Sequence, residues 1–383
     1  MAIYLDCAAS MPVDPRVTAR VMEVLADECG NAGSRGHELG RRARRRVEQA
    51  REQVARVVDA GRAEVVFTSG ATESSNLAIL GLAEYGRQSG RRHAVSTRIE
   101  HRAVLEPLEQ LRRHGFEISL VAPEPGGWVD PEAVRGAVRP ETLLVSVMHV
   151  NNETGIIQPI AEIAELLGEH SAYFHVDAAQ GFGRELQGLR HPRVDLVSIS
   201  GHKIHAPQGI GALVTRRREG RRPPLAPLLH GGGQEFGLRP GTLPVALISG
   251  LGLAAELAVE EGEARAAKCR QLRERLLRAL APLEPVVNGD PGRGVPHILN
   301  LSIPGVLAEE ALEALDGLIA VSDGAACSSQ ADTCSHVLSA MGLDAARIEG
   351  ALRFSWCHLT EEPEWNAVVH RLSQVRVRQE DCE

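Results

Sequence analysis

Asp195-Leu196-Val197-Ser198-Ile199-Ser200-Gly201-His202-Lys203 is an apolar run that reads as a buried strand and breaks into a Ser-Gly-His turn before a lysine. The chain writes its cations almost wholly as arginine: Lys203 and Lys268 are the only lysines among 42 basic residues. A guanidinium stays protonated, whereas a lysine amine can lose its proton and bond to a carbonyl. A lysine kept against that bias is a candidate covalent catalyst. Lys268 has a simpler reading, because EEGEARAAKCRQLRERLLRAL has the pattern of an amphipathic helix with a charged face. Lys203 has no such reading, so the chemistry is sought at the end of this strand.

Working outward, strands and helices alternate. After a short extended start at Ile3-Tyr4-Leu5, the spacing predicts helices over about 14–29 and 36–59. A strand over 64–68 then runs into Ser69-Gly70-Ala71-Thr72 and a helix near 72–86. Further strands are expected near 92–98, 117–122, 142–150, 172–177 and 195–199, separated by helical stretches. This alternation predicts an α/β fold with a mostly parallel sheet clad by helices. One long helix over about 244–282 would lead to a second, α+β unit: strand 297–303, helix 308–316, strand 319–322, helix 333–341, strand 351–356 and a terminal helix.

The composition narrows the class. With 383 residues and 43% apolar content, the chain can bury a large core and divide into two domains. No opening stretch reads as a signal peptide, and no apolar run is long enough to cross a bilayer. Seven scattered cysteines without a CxxC pair suit free thiols in a reducing cytoplasm, which is the expected location. A net charge of −8 argues against direct nucleic-acid binding. The basic run Arg41–Arg46 leads into VEQAREQVARVV and reads as a solvated helix face.

Four features fall at the carboxyl ends of the predicted strands, where such sheets gather ligands. Ser69-Gly70-Ala71-Thr72-Glu73 is a strand-to-helix turn whose small residues and helix start suit a phosphate, although it also fits an ordinary cap. Asp177 ends an apolar strand and needs a partner, either a structural cation or a protonated ring nitrogen. His101 stands where a strand meets a helix, as a cap or as a flat group over a ring. Lys203 is the amine. Together they fit pyridoxal 5'-phosphate, which asks for an amine, an acid beside its pyridine nitrogen and a phosphate cup. Gln180 would add a donor for the ring hydroxyl.

With the segments YLDCAAS, FTSGATESSNLAI, EHRAVLEPLE, HVNNETGIIQPI, HVDAAQ, SISGHKIHAPQGIGAL, GGGQEFGLRPGTLP, SDGAACSS and LRFS, the chain resembles the cysteine desulfurases of the NifS/IscS type. These belong to fold type I of the pyridoxal-phosphate enzymes. The resemblance implies that Lys203 bonds to the cofactor, Asp177 pairs with the pyridine nitrogen and His101 lies over the ring. Gln180 and Asn152 would bond the ring hydroxyl or the substrate, while Ala71, Thr72, Ser200 and His202 would hold the phosphate. Thr242 would reach the phosphate of the other subunit of a homodimer. Arg353 would bind the carboxylate of L-cysteine, where a planar fork suits bidentate contact. Cys327 would take the substrate sulfur as a persulfide and release alanine, since the thiolate is the reactive form of cysteine. The domains expected are a large cofactor-binding unit over 14–258 and a small one from 1–13 with 259–383, carrying the cysteine loop of about 323–334.

Two departures from the family pattern stand out. Ser355-Trp356-Cys357-His358 replaces Leu-Gly-Arg after the Arg-x-Ser motif, so a different substrate end or rim of the pocket is expected. Asn31-Ala32-Gly33-Ser34 replaces Asn-Pro-Ser-Ser, which loosens that loop. Cys334 is a spare thiol near Cys327. A metal site from Cys327, Cys334 and His336 is not expected, because the spacing matches no zinc pattern. The resemblance extends to the desulfurases of bacterial DNA-phosphorothioation systems, which would pass sulfur to an iron–sulfur protein. The alternatives are a general donor for iron–sulfur assembly or tRNA thiolation, a selenocysteine lyase, and a sulfur-relay scaffold without turnover.

Overall fold

The computed structural model describes residues 2–324 and 334–380; Cys327 lies outside the described residues, as does Cys382. Seven strands form the main sheet, in the spatial order Val65–Thr68, Gly211–Thr215, Leu196–Ser200, Tyr173–Asp177, Thr142–Met148, His93–Thr97 and Glu117–Val121. Five of these pair in parallel, and only Gly211–Thr215 runs antiparallel to both its neighbours. Every residue of the strands at 65–68, 93–97, 142–148, 196–200 and 211–215 is buried. Near-continuous apolar strands of this kind are what a sheet covered on both faces requires.

Gly211–Thr215 was not foreseen from the sequence. Its entry depends on glycine: a Cβ on Gly211 would stand 2.3 Å from the Ile199 carbonyl oxygen and 2.6 Å from Gly70 Cα. The missing side chain lets the strand lie against the Ser69-Gly70 turn.

Two predicted helices are broken. The first divides into Ala71–Leu80 and Ala83–Ser89, where the Gly81 carbonyl accepts a hydrogen bond from Ala226 N, 2.8 Å away. The long helix divides into Val245–Glu260 and Gly262–Leu280. At the break, Glu261 turns to bind Arg16 at 2.5 Å and Arg265 at 2.8 Å. The expected strand 319–322 is two short pieces in different sheets: Ile319–Ala320 pairs with Ile3–Tyr4, and Ser322–Asp323 pairs with Ala351–Ser355.

A second sheet of order Ser322–Asp323, Ala351–Ser355, Ile298–Ser302 and Val286–Val287 is antiparallel throughout. It packs with the helices Gly262–Leu280, Ala308–Leu315 and Trp365–Glu380 around Leu276, Leu301, Leu315, Phe354, Trp356 and Leu372. The N-terminal segment joins this unit, through Leu5 N to the Ala320 carbonyl and Ser355 N to the Leu5 carbonyl. Its continuation, Ala8-Ala9, then crosses to the main sheet.

Within the basic run Arg41–Arg46, Arg41 and Arg45 bind Glu38, while Arg42 and Arg46 bind Glu28. Arg44 donates to the Ala32 carbonyl and so holds the 31–34 loop, where Gly33 N also bonds Asn31 Oδ1 at 2.8 Å.

Candidate active site

The carboxyl ends of Val65–Thr68, His93–Thr97, Thr142–Met148, Tyr173–Asp177 and Leu196–Ser200 lie along one edge of the main sheet, and a cavity of about 550 Å³ opens there. Its lining includes Ala71, Thr72, His101, Asn152, Asp177, Gln180, Ser200, His202, Lys203 and Arg353. Of the site residues expected from the sequence, ten of twelve therefore meet in one cavity. Thr242 is exposed on a loop and does not line it. Cys327 is among the residues not described.

Lys203 follows directly from the strand Leu196–Ser200 through one turn of 3-10 helix. Its Nζ donates to the carbonyls of Ala8 and Ala9, the latter at 2.8 Å. The N-terminal segment thereby aims the amine. Asp177 is buried at the end of its strand, between Met148 and Ser198, and its Oδ1 accepts from Ala179 N at 3.0 Å. Burial pushes its carboxyl above the usual range, while His101, the Ala179 N–H and Lys203 pull it down. His101 caps the helix Arg102–Arg113: its Nδ1 accepts from Ala103 N at 3.1 Å, which leaves the proton of a neutral ring on Nε2. Burial lowers its basicity, partly offset by Asp177.

The turn expected to take a phosphate, Ser69 to Thr72, lines the cavity. Glu73 reaches back to Ser69 N at 2.7 Å and binds Arg239 at 3.0 Å. Arg239 belongs to a loop anchored in the core by Glu235, which takes Arg51 at 2.7 Å and Phe67 N at 2.7 Å. His202 Nδ1 lies 3.2 Å from Ser10 Oγ, and burial holds the ring neutral, with its pKa lowered to about 4. At the other end of the cavity, the buried Arg353 donates to Asp6 Oδ1 at 2.7 Å and to the Asn152 carbonyl at 3.1 Å, and its Nε has no partner.

Gln180 donates to the Ala8 carbonyl at 2.9 Å, but its Oε1 is buried without a partner. An orphaned acceptor of this kind costs stability unless something else fills the cavity. A buried carboxylate with a single N–H partner makes the same demand. A planar heteroaromatic ring with a protonated nitrogen for the carboxylate and a hydroxyl for the amide oxygen would meet both. The residues present fit pyridoxal phosphate.

Sequence reasoning missed several parts of this site. The Ala8 and Ala9 carbonyls carry no side-chain signal. Glu100, fully buried behind His101, accepts from Thr97 Oγ1 and Met148 N at 2.8 Å each, and burial raises its pKa to about 8. Glu153 accepts from Ser335 Oγ at 2.5 Å, and burial raises it to about 7. Of the Trp356-Cys357-His358 departure, none of the three residues lines the cavity. Trp356 is wholly buried in the second unit, donating to the Cys269 carbonyl at 3.0 Å.

A mostly parallel sheet that presents a lysine, a buried aspartate and a small-residue cup at one edge defines a pyridoxal-phosphate enzyme of fold type I. The family model for class-V aminotransferases matches residues 3–368, and the chain belongs to that family. A "Cysteine desulfurase IscS" from Salmonella arizonae is 45% identical over 367 residues, covering 95% of this chain and 90% of the relative. One from Klebsiella pneumoniae is 44% identical over 373 residues, covering 97% and 91%. Among solved structures, DndA from Streptomyces lividans superposes with a TM-score of 0.81 at 51% identity, covering 92% of this chain and 99% of that one. A structure described as SspA in complex with cysteine gives 0.82 at 34%, covering 94% and 100%.

Proposed function

We propose that the protein is a pyridoxal-phosphate-dependent cysteine desulfurase, converting L-cysteine to L-alanine and passing the sulfur to an acceptor protein. The observation that carries this reading is the single cavity in which Lys203, Asp177, His101 and Arg353 converge. When bound, the cofactor supplies an aldehyde for the substrate amine and an electron-withdrawing ring that acidifies the substrate Cα–H.

The chain's own residues do the rest. Lys203 would hold the cofactor, and its amine would move the substrate Cα proton. Asp177 would keep the ring nitrogen protonated, and His101 would lie over the ring face. Ala71, Thr72, Ser200 and His202 grip the phosphate, and Gln180 and Asn152 bond the ring hydroxyl or substrate. Arg353, already fixed by Asp6, would offer its remaining N–H donors to the substrate carboxylate. The Cys327 thiolate attacks the substrate sulfur; the S–S bond forms as the Cβ–S bond breaks, and the electron pair returns to carbon. Protonation there gives alanine, so cysteine plus thiol becomes alanine plus persulfide.

The large unit over 14–258 carries the cofactor, and 1–13 with 259–383 forms the small unit. The enzyme works as a cytoplasmic homodimer, with Thr242 reaching the partner's phosphate. Among the described residues, no helix is long and apolar enough to cross a membrane. The 51% identity to DndA favours a role in DNA phosphorothioation, through an iron–sulfur acceptor. The IscS relatives support a second reading, a general donor for iron–sulfur assembly.

The test is turnover of L-cysteine with mass spectrometry of the enzyme. Wild type should release alanine and carry one extra sulfur on Cys327, and Cys327→Ser should do neither. Undiminished sulfur transfer by Cys327→Ser would refute the nucleophile.

A further inference from the structure

Behind the active cavity, the N-terminal segment and the strand carrying Arg353 bring two thiols together. Cys7 follows Asp6, whose backbone bridges to Ser355, and Cys357 lies two residues beyond Ser355. The two side chains pack together in one small buried cluster with Met11. Both are buried, yet both line a second, open cavity with Tyr4, Met11, Pro12 and Leu359.

The charge around the pair is unusual. Arg184 donates to His297 Nε2 at 2.8 Å and to Met11 Sδ at 2.6 Å, and no carboxylate pairs with it among the described residues. The acidic groups whose charge favours the Arg184 cation are the thiols of Cys269, Cys357 and Cys7. A guanidinium without a counter-ion is costly in a low-dielectric setting, and a thiolate relieves that cost. Cys357 N and Thr360 Oγ1 lie 3.0 Å apart, and that hydroxyl also points at Cys357 Sγ.

The ligand atoms of His205, Cys357 and His358 lie within 4.8 Å of one another, which invites a metal reading. The charges weigh against it: Arg184 and Arg265 bear on His205, and Arg265 and Lys268 bear on His358, where Asp14 and Glu261 act in the opposite sense. At Cys357 itself the neighbouring charge is that of Arg184, which favours a thiolate over a further cation.

We propose that Cys357 is a reactive thiolate and Cys7 its resolving partner, so that the pair is an oxidation site closed reversibly by a hydroperoxide. The Cys357 thiolate attacks one peroxide oxygen, the O–O bond breaks, and hydroxide leaves to take a proton as water. The Cys7 sulfur then attacks the sulfenic sulfur, forming the S–S bond and releasing a second water. Two thiols lose two electrons, and one peroxide gains them. The contact with Cys7 holds Cys357 below its usual range, helped by the Leu359 N–H, Thr360 and Arg184, while the same contact and burial hold the Cys7 thiol above its own. Oxidation of Cys357 removes the thiolate charge and frees Cys7 to react beside Arg184. Cys7 also adjoins Ala8, whose carbonyl accepts from Lys203 and Gln180, so the bond would be joined to the active cavity by one residue.

The holoenzyme, reduced and desalted with and without a chelator, is treated with one equivalent of hydrogen peroxide, alkylated and mapped without reduction. The expected product links the Cys7 and Cys357 peptides, disappears with dithiothreitol and forms regardless of the chelator. In Cys7→Ser, Cys357 should instead accumulate as a dimedone-reactive sulfenic acid. The exposed Cys29 serves as the internal reference. If Cys357 remains unmodified once Cys29 is fully oxidised, or reacts only after chelation, the proposal fails.

Discussion

Asp177 and Arg353 show how single residues set the chemistry. Asp177 sits where burial opposes its charge, so its ionisation depends on cationic or proton-donating neighbours. Asp177→Asn keeps the shape and removes the charge, and kcat for alanine formation should fall about a hundredfold or more. A variant with wild-type kcat would count against the assigned pairing. Hydrogen bonds to charged groups are worth about 1.5–3 kcal/mol, so Arg353→Ala should raise KM for L-cysteine about 10- to 100-fold. Arg353→Lys should recover little of this, because an ammonium cannot reproduce the fork that also binds Asp6 and the Asn152 carbonyl. An unchanged KM in both variants would remove Arg353 from the substrate site. Asp177 was legible as an acid that ends an apolar strand, and Lys203 and His101 as residues of the turns that follow such strands. The carbonyls that aim Lys203 were not, since a backbone oxygen 194 residues away leaves no trace in residue type.

At the scale of elements, Glu100 lies at the junction between the strand His93–Thr97 and the helix that His101 caps. In the fold it keeps its proton up to about pH 8, whereas an unfolded glutamate loses it near 4.3. Between those values the folded state holds more protons, so stability declines as pH rises. Glu153, raised to about 7, adds to the same decline. Glu100→Gln preserves the acceptor for Thr97 and Met148 and removes one titration. Its melting temperature should depend less on pH between about 5 and 8 and should exceed that of wild type at pH 8. A variant whose thermal profile keeps the wild-type slope would show that Glu100 is ionised in the fold. Six of the seven strands of the main sheet were legible, most of them as short apolar runs, whereas Gly211–Thr215 was not. The breaks at Gly81 and Glu261 were not, because they come from contacts to Ala226 and Arg16 that helical periodicity does not register.

For the whole molecule, the site joins distant stretches of one chain: the cofactor edge of the main sheet, Arg353 from the second sheet and the N-terminal segment that links them. The proposed homodimer predicts a sedimentation mass of twice the 41.2 kDa chain. Thr242→Ala should weaken pyridoxal-phosphate retention without changing that mass. A stable monomer retaining full cofactor affinity would contradict the shared site. The central claim is that one lysine out of two holds the cofactor, and borohydride reduction of the holoenzyme followed by peptide mass spectrometry tests it most directly. The account predicts a phosphopyridoxyl group on Lys203 in near-stoichiometric yield and none on Lys268. Label on Lys268 instead, or an unlabelled Lys203 in active enzyme, would contradict it.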